Sequence, residues 1–293
     1  MKIRIFGIMI DSIKIIECPR DAMQGIKSHF IPTEAKAKYI NSLLKVGFDT
    51  IDFGSFVSPK AIPQMRDTAA VLSKLDLTTT SSKLLAIVAN VRGANDASQF
   101  EEIDYLGYPF SISENFQMRN THKTIEQSID TLKEVLAIAN RVNKEVVAYL
   151  SMGFGNPYGD PWSVEIVGEW TEKLSKLGVK ILSLSDTVGT STPEDIHYLY
   201  SNLIPSYPQI EFGAHLHTTP AKWHEKVDSA FKAGCRRFDG AIKGYGGCPM
   251  AKDELTGNMP TEKLLSYFTA NKVITNIKPM SFESAYNKAL EVF

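Results

Sequence analysis

Short runs rich in β-branched residues alternate along the chain with longer amphipathic stretches, and this alternation restricts the fold more than any other feature. Strands that alternate with helices are typical of βα units, which form a parallel sheet covered by helices. Eight runs have the composition of strands: Ile13–Glu17, Thr50–Phe53, Leu84–Val88, Ile103–Leu106, Glu145–Leu150, Ile181–Leu184, Glu211–Ala214 and Arg237–Ala241. The sequence therefore predicts eight βα units.

Helical patterns with recognisable start and stop signals lie between these runs. Three of them end in a glycine that leads into a β-rich run: Val46-Gly47, Leu177-Gly178 and Ala233-Gly234. Glycine is favoured there because the chain leaves a helix through a left-handed residue. The predicted helices run from Thr33 to Val46, Thr121 to Ile138, Trp162 to Leu177, Lys222 to Ala233 and Ser281 to Phe293, with two more that begin at the Thr192-Pro193 cap and at Thr261.

Eight βα units in 293 residues predict a (β/α)8 TIM barrel. We expect residues 1–293 to form one catalytic domain, with Ser281 to Phe293 as a C-terminal helix covering one end or edge. The alternative is a doubly wound parallel sheet, which needs a phosphate loop or a crevice at a switch point. No GxGxxG motif follows the first strand, where Cys18-Pro19-Arg20-Asp21 comes next. The barrel is therefore favoured.

Composition excludes several classes of protein. The 32 basic and 33 acidic residues give a net charge of -1, which argues against nucleic acid as a partner. No apolar run reaches the roughly 18 residues of a membrane span, so no membrane association is expected. The opening MKIRIFGIMI is followed by Asp11 and lacks a small-residue cleavage site, so it does not resemble a signal peptide. Three cysteines cannot all pair, and so sparse a count favours a reducing cytoplasm.

His215-x-His217 is the most specific local motif. Residues two apart on a strand point to the same side, so the two imidazoles should converge. Neutral imidazoles at that spacing suit a divalent cation, and a carboxylate such as Asp21 from another strand end strengthens the case. The alternative is two histidines that make separate hydrogen bonds.

Other strand ends carry groups suited to catalysis. The loop Gly244–Pro249 places three glycines beside Cys248; it either closes over a substrate and supplies an acid or base, or is a plain loop with an incidental thiol. Arg20 beside Asp21 can hold a carbonyl or carboxylate by forked hydrogen bonds, although surface ion pairs are common. Asp52 and Asp186 are candidate bases or orienting groups, and the alternative role of each is a helix cap.

Together these segments resemble the 3-hydroxy-3-methylglutaryl-CoA lyase family. That family comprises metal-dependent (β/α)8 acyl-CoA lyases, related to the isopropylmalate and homocitrate synthases. The SFVSPK-x₂-PQM stretch and the GGCP loop are specific to the lyase branch. The matching segments are residues 16–24, 54–60, 63–65, 111–120, 184–189, 215–217, 246–249 and 256–258.

The resemblance implies roles for particular positions. The residues that match metal ligands, for Mg²⁺ or Mn²⁺, are Asp21, His215, His217 and Asn258. The residues that match catalytic positions are Arg20, which polarises the thioester carbonyl, Cys248, which takes part in proton transfer, and Asp186 and Asp52. The candidate substrate contacts are Gln24 and Ser55 at the same rim, and Lys27 for the CoA phosphates, although a solvated lysine is the better explanation of Lys27.

The implied reaction is a retro-Claisen cleavage of an acyl-CoA, 3-hydroxy-3-methylglutaryl-CoA in the family, to acetyl-CoA and acetoacetate. The chain departs from the family at Ala22, where glycine is usual, at Asp52, where glutamate is usual, and at Thr218, where aspartate is usual. One extra residue also separates Cys248 from Asn258. We therefore expect the metal and the C–C cleavage to be retained, with a different branched 3-hydroxyacyl-CoA as the alternative substrate.

Two further readings of the sequence compete with a lyase. A Claisen-type synthase related to isopropylmalate synthase is one, but such enzymes usually carry an extra C-terminal regulatory domain. A barrel that binds a CoA ester without catalysis is the other, and Arg20, Asp21, the two histidines and Cys248 argue against it. Dimers are common in the family, so a homodimer is an expectation of the resemblance alone.

Overall fold

The computed structural model describes residues 2–5, 8–11, 13–247 and 256–293. An antiparallel hairpin of β1 (Lys2–Ile5) and β2 (Ile8–Asp11) comes first. The next eight strands are β3 (Lys14–Glu17), β4 (Thr50–Ser55), β5 (Lys83–Ile87), β6 (Tyr105–Ser111), β7 (Glu145–Ser151), β8 (Ile181–Asp186), β9 (Glu211–Thr218) and β10 (Arg237–Gly240). A short β11 (Gly257–Asn258) pairs antiparallel with β9.

The eight strands β3 to β10 form a closed parallel barrel. Each pairs with the next along the chain, and β10 closes the circle by pairing with both β3 and β9. Arg237 stands opposite Lys14 on one side and Gly213 on the other. Closure leaves no free sheet edge among these strands, so the predicted TIM barrel is confirmed and the doubly wound alternative is wrong.

Helices surround the barrel. They are α1 (Pro19–Gln24), α2 (Thr33–Leu44), α3 (Thr68–Leu72), α4 (Val91–Ala97), α5 (Glu114–Thr121), α6 (Ile125–Arg141), α7 (Val164–Lys176), α8 (Pro193–Ser206), α9 (Trp223–Lys232), α10 (Thr261–Ala270) and α11 (Pro279–Val292). None of the helices among the described residues is long and apolar enough to cross a membrane.

Helix boundaries follow the capping residues. Thr192 caps α8 by accepting a hydrogen bond from the Asp195 amide, as the sequence predicted. The predicted start of a helix at Thr121 is wrong, because α5 ends there and His122 adopts a left-handed conformation with φ of 56°. A capping box of Thr124 and Gln127 then begins α6.

The C-terminal helix α11 packs against α2. Phe282 makes an edge-to-face contact with Phe48, and Phe293 makes another with Tyr39, at centroid distances of 6.4 and 5.9 Å. Phe293 also stacks on Tyr245, at a centroid distance of 4.5 Å. The predicted covering helix is therefore present, and its end contacts the glycine-rich loop.

The apolar core has two parts. The larger lies between the barrel and the helices, and the smaller fills part of the barrel interior with the side chains of Leu85, Ile87, Tyr105, Val147, Tyr149 and Ile181. Several interior positions are instead buried and polar, including Ser183, Arg237 and Asp239. These three residues lie on β8 and β10, the two neighbours of β9, which carries the two histidines.

Candidate active site

The candidate site lies at the carboxyl ends of the barrel strands, where TIM barrels carry their catalytic groups. His215 and His217 project from β9 with ring centroids 5.2 Å apart. Asp21 approaches them from α1, directly after β3. One ligand atom from each of these three residues lies within 4.8 Å of the other two. The structure thus brings together three residues that come from distant parts of the chain.

Local sequence explains how Asp21 reaches this point. Pro19 occupies the first turn of α1, where its fixed φ and missing N–H favour helix initiation immediately after the strand. Arg20 and Asp21 follow in the same turn, and each is only 7% exposed. Two charged residues this deeply buried need partners, and each has several.

Arg20 is held between two carboxylates. Its Nε and Nη2 donate to Asp52 at 3.0 and 2.5 Å, and its Nη1 donates to Asp21 at 3.0 Å. Burial raises the pKa of Asp52 to about 6, although Arg20 opposes the shift. Burial also acts on Asp21, but there the Arg20 guanidinium and the two histidines outweigh it and the pKa is lowered. Asp21 is therefore the more strongly ionised member of the pair.

Hydrogen bonds orient both imidazoles. His217 Nδ1 lies 2.9 Å from the Thr187 carbonyl oxygen, which can only accept a hydrogen bond. His215 Nδ1 lies 3.1 Å from the Asp239 carboxylate. A proton on Nδ1 leaves Nε2 with its lone pair exposed to a ligand, the arrangement common in metal-binding histidines. Burial and the neighbouring His215 lower the pKa of His217 to about 4, so its ring is neutral near pH 7.

Asn258 joins the cluster through β11. Its Nδ2 donates to Asp21 at 2.7 Å and to the Tyr245 carbonyl at 2.8 Å. Both amide hydrogens are therefore used, and Oδ1 is the atom with which this side chain would reach a cation. Gly246 packs so closely that a Cβ there would lie 2.6 Å from the Asp21 carbonyl oxygen, and its φ of +83° also favours glycine. The glycine-rich loop is thus built against the Asp21 backbone.

The donor set fits a divalent cation. His217 Nε2 is buried and has no hydrogen-bond partner within the described part of the chain. A metal ion bound between His217 Nε2, the Asp21 carboxylate and the His215 imidazole would give this unpartnered nitrogen a ligand. The same set of nitrogen and oxygen donors accommodates Mg²⁺, Mn²⁺ or a related ion.

The other predicted residues are placed as follows. Gln24 donates to Asp21 at 2.5 Å, and Ser55 is buried at the end of β4 beside a bulge in the strand pairing. Lys27 is exposed. Asp186 is fully buried, where it accepts hydrogen bonds from Ser191 and from the Lys226 ammonium group. Cys248 lies outside the described residues.

Three residues that support the site were not singled out in the sequence. Asp239 orients His215, and Lys226 donates to Asp186 at 2.6 Å and to the His217 carbonyl at 2.9 Å. Glu17 accepts hydrogen bonds from the Ile242 amide and the Thr261 hydroxyl. Asp239 follows Arg237 by two on a strand, so the same alternation that predicts convergent histidines could have placed it inside the barrel.

Comparisons with known proteins point to one family. A family model described as HMGL-like matches residues 13–288. A hydroxymethylglutaryl-CoA lyase of Bacillus subtilis is 33% identical over 260 residues, which cover 89% of this chain and 86% of that protein. A crystal structure of the Bacillus subtilis HMG-CoA lyase is similar with a TM-score of 0.89 at 32% identity, covering 96% of this chain and 93% of that one. An HMG-CoA lyase from Acinetobacter baumannii, in complex with coenzyme A and 3-methylmalate, is similar with a TM-score of 0.87 at 29% identity, covering 96% and 91%.

Proposed function

The chain belongs to the HMGL-like family, and from that premise we propose that it cleaves 3-hydroxy-3-methylglutaryl-CoA to acetyl-CoA and acetoacetate by a retro-Claisen reaction. The observation that carries the proposal is the cluster of Asp21, His215 and His217 beside the buried Arg20 at the carboxyl ends of the barrel strands. A synthase is not favoured, because the similar proteins at about 30% identity described above are lyases.

We propose that Asp21, His215, His217 and Asn258 hold one divalent cation, either Mg²⁺ or Mn²⁺. The cation, when bound, supplies Lewis acidity toward the hydroxyl and carboxylate of the substrate. Thr187 and Asp239 keep the two imidazoles turned so that Nε2 of each is available. Arg20, Gln24 and Asn258 all donate to Asp21, which fixes its carboxylate before any ligand arrives.

Arg20 is proposed to bind the thioester carbonyl. A guanidinium has five N–H groups, and the bonds to Asp52 and Asp21 use Nε–H and one hydrogen on each terminal nitrogen. One hydrogen on each terminal nitrogen therefore remains for a ligand oxygen. Asp52 accepts hydrogen bonds from both Nε and Nη2 of Arg20, so the guanidinium and its two remaining N–H groups are held in a fixed position. Donors fixed in this way are what stabilisation of a developing enolate oxygen requires.

Proton transfer is proposed from the resemblance. Cys248 belongs to the glycine-rich loop, in which Gly246 packs on Asp21, and it is the candidate for moving the proton at the reacting carbon. Asp186 matches the acid near the reacting hydroxyl by resemblance alone, since its side chain is fully buried in an ion pair with Lys226. Ser55 and Lys27 are proposed contacts for the acyl-CoA, and the complex of a similar lyase with coenzyme A supports this class of ligand.

A direct assay tests the proposal. Metal-stripped protein is incubated with 3-hydroxy-3-methylglutaryl-CoA, with and without Mn²⁺, and acetoacetate and acetyl-CoA are measured. We expect both products only with the cation, and about 100-fold slower turnover in Arg20→Gln. The exposed Arg92→Gln is the matched control and should retain full activity. Cleavage of a longer branched 3-hydroxyacyl-CoA alone would change the substrate, and no cation-dependent cleavage of either would refute the proposal.

We also propose a homodimer and a cytoplasmic location. The first rests on the resemblance and the second on the sparse cysteines. Light scattering on the purified protein distinguishes a dimer from a monomer of 32.6 kDa.

A further inference from the structure

The described part of the glycine-rich loop, residues 244–247, carries a single side chain. Gly244, Gly246 and Gly247 have φ angles of 67°, 83° and 119°, and none of them has a side chain that could pack against the protein. A glycine backbone is costly to fix in one conformation, because it has the most freedom to lose. Within this stretch, the ring of Tyr245 is therefore the group that can anchor the loop by side-chain packing.

The Tyr245 backbone is hydrogen-bonded to the candidate metal site. Its carbonyl oxygen accepts a bond of 2.8 Å from Asn258 Nδ2, which also donates to Asp21 at 2.7 Å. These two bonds occupy both hydrogens of the amide nitrogen and so determine where Oδ1 of Asn258 points. A shift of the Tyr245 carbonyl would therefore turn a proposed cation ligand.

Phe293 stacks on the ring of Tyr245. The two ring centroids are 4.5 Å apart and the ring planes are inclined by 22°. Both residues are partly buried, and an aromatic pair of this kind stabilises by more than the area it buries. Lys243 Nζ also lies 5.7 Å from the Tyr245 centroid, but Lys243 is exposed and its ammonium group stays hydrated. The stack with Phe293 is thus the contact that holds this ring.

Phe293 is itself fixed to a part of the fold outside the loop. Its ring makes an edge-to-face contact with Tyr39 of α2, which is only 1% exposed. Its amide donates to the Ala289 carbonyl at 3.0 Å, so residue 293 continues the hydrogen bonding of α11. At the start of α11, the Lys278 amide donates to the Val46 carbonyl at 2.8 Å. The stack therefore connects the loop to the packed pair of α2 and α11.

From these contacts we propose that Phe293 is a positioning residue for the candidate metal site. Its ring holds Tyr245, the Tyr245 carbonyl orients Asn258, and Asn258 presents Oδ1 to the cation. The inference rests on the proposed cation site, and it gives the end of α11 a part in that site beyond covering the barrel. Phe293 acts through Tyr245 and not by contact with the cation.

Mn²⁺ binding by substituted proteins tests the proposal. Mn²⁺ is titrated calorimetrically into the metal-free, full-length protein. We expect Phe293→Leu to weaken binding about fivefold, because it removes the aromatic stack and retains an apolar side chain. Phe293→Tyr keeps a ring at this position and should retain the affinity. Combining Phe293→Leu with Tyr245→Leu should weaken binding no further than either change alone, because each already removes the same contact.

Phe282→Leu is the matched control. Phe282 lies on α11 as well, and its ring contacts Phe48, which precedes β4. The loss in free energy of unfolding, measured by urea denaturation, should be similar in Phe282→Leu and Phe293→Leu, because each removes one aromatic contact of the same helix. Only Phe293→Leu should weaken Mn²⁺ binding. If Phe293 served stability alone, the two variants would have the same Mn²⁺ affinity.

Amide hydrogen exchange follows the loop without any cation. In the metal-free protein, we expect the segment 242–247 to exchange faster in Phe293→Leu than in Phe282→Leu, because the loop opens more easily once the stack is removed. Mass spectrometry of peptides covering this segment measures the difference. Equal exchange in the two variants would show that Phe293 does not hold the loop.

The possible failures can be told apart. Equal Mn²⁺ affinity in Phe293→Leu and the unmodified protein, or equal weakening in Phe293→Leu and Phe282→Leu, would overturn the role of Phe293 and leave the proposed reaction intact. No Mn²⁺ binding by the unmodified protein would overturn the proposed cation site, and the role of Phe293 with it.

Discussion

Each imidazole at the candidate metal site is oriented by a residue on a different strand or loop. Thr187 fixes His217 through a carbonyl oxygen, and Asp239 fixes His215 through a carboxylate. This arrangement prepares both Nε2 atoms for a ligand before one is bound. The consequences can be tested one residue at a time.

Removing the imidazole of His217 should weaken cation binding. We expect His217→Ala to lower Mn²⁺ affinity by about 100-fold, because it removes a metal ligand itself and not merely a residue that orients a ligand. His197→Ala removes an exposed histidine of α8 and serves as the control. Calorimetric titration with Mn²⁺ checks both variants, and equal affinity in His217→Ala and the unmodified protein would refute the assignment.

Glu17 makes stability depend on pH. Burial raises its pKa to about 8 from its usual value near 4.5, despite hydrogen bonds from Thr261 and Ile242. Between these two values the folded protein retains a proton that the unfolded chain has lost. The contribution of Glu17 to stability is therefore greatest below about pH 4.5 and declines as pH rises toward 8.

Replacing Glu17 by glutamine should flatten this dependence. Free energies of unfolding, measured by urea denaturation at pH 5 and pH 8, are expected to differ less in Glu17→Gln than in the unmodified protein. Glu169→Gln, at an exposed position of α7, should preserve the original difference. An unchanged difference in Glu17→Gln would show that Glu17 is not the group responsible.

Spacing within one strand predicted a pair of converging residues, whereas Asn258 and Asp52 were expected from the resemblance alone. His215 and His217 lie two apart on a strand, so their convergence follows from strand geometry. Glu17 and its partner Ile242 are separated by 225 positions, and Lys226 and Asp186 by 40. Such pairs form only when particular strands and helices become neighbours in the fold, so no local sequence pattern predicts them.

At the level of elements, a buried ion pair joins α9 to the end of β8. Lys226 and Asp186 have side chains that are 1% and 0% exposed, and the ammonium group also donates to the carbonyls of Gly189 and His217. One lysine thus connects the ends of β8 and β9 to the helix that follows. The position of His217 depends on this connection.

Lys226→Met should destabilise the fold strongly, because it leaves the Asp186 carboxylate buried without its cation. We expect a loss of about 3–5 kcal/mol in the free energy of unfolding. Lys232→Met removes the exposed partner of Asp228 on the same helix and should cost less than about 1 kcal/mol. Urea denaturation of the two variants compares them, and similar losses would contradict a structural role for the buried pair.

Elements were predicted well where periodicity is long and poorly where it is short. All eight barrel strands were found, because runs of β-branched residues followed by glycine-terminated helices are a strong pattern. The hairpin of β1 and β2 was not predicted, since four-residue strands give little alternation. Helices α1, α3, α4 and α5 were missed for the same reason, with lengths of six, five, seven and eight residues.

At the scale of the whole molecule, closure of the barrel predicts cooperative unfolding. Removing any strand from β3 to β10 would open the sheet, so the strands should be lost together. Tryptophan fluorescence reports on Trp162, Trp170 and Trp223, which lie in or beside α7 and α9, whereas circular dichroism reports on all helices. We expect the two thermal transitions to coincide, and separate midpoints would contradict a single domain over the chain.

Binding of one divalent cation by Asp21, His215, His217 and Asn258 underlies the proposed reaction. Anomalous X-ray diffraction from crystals grown with Mn²⁺ locates such an ion. We expect a single strong peak within about 2.5 Å of ligand atoms from all four side chains. A peak that lies elsewhere, or crystals with no bound Mn²⁺ at a concentration that supports cleavage, would contradict it.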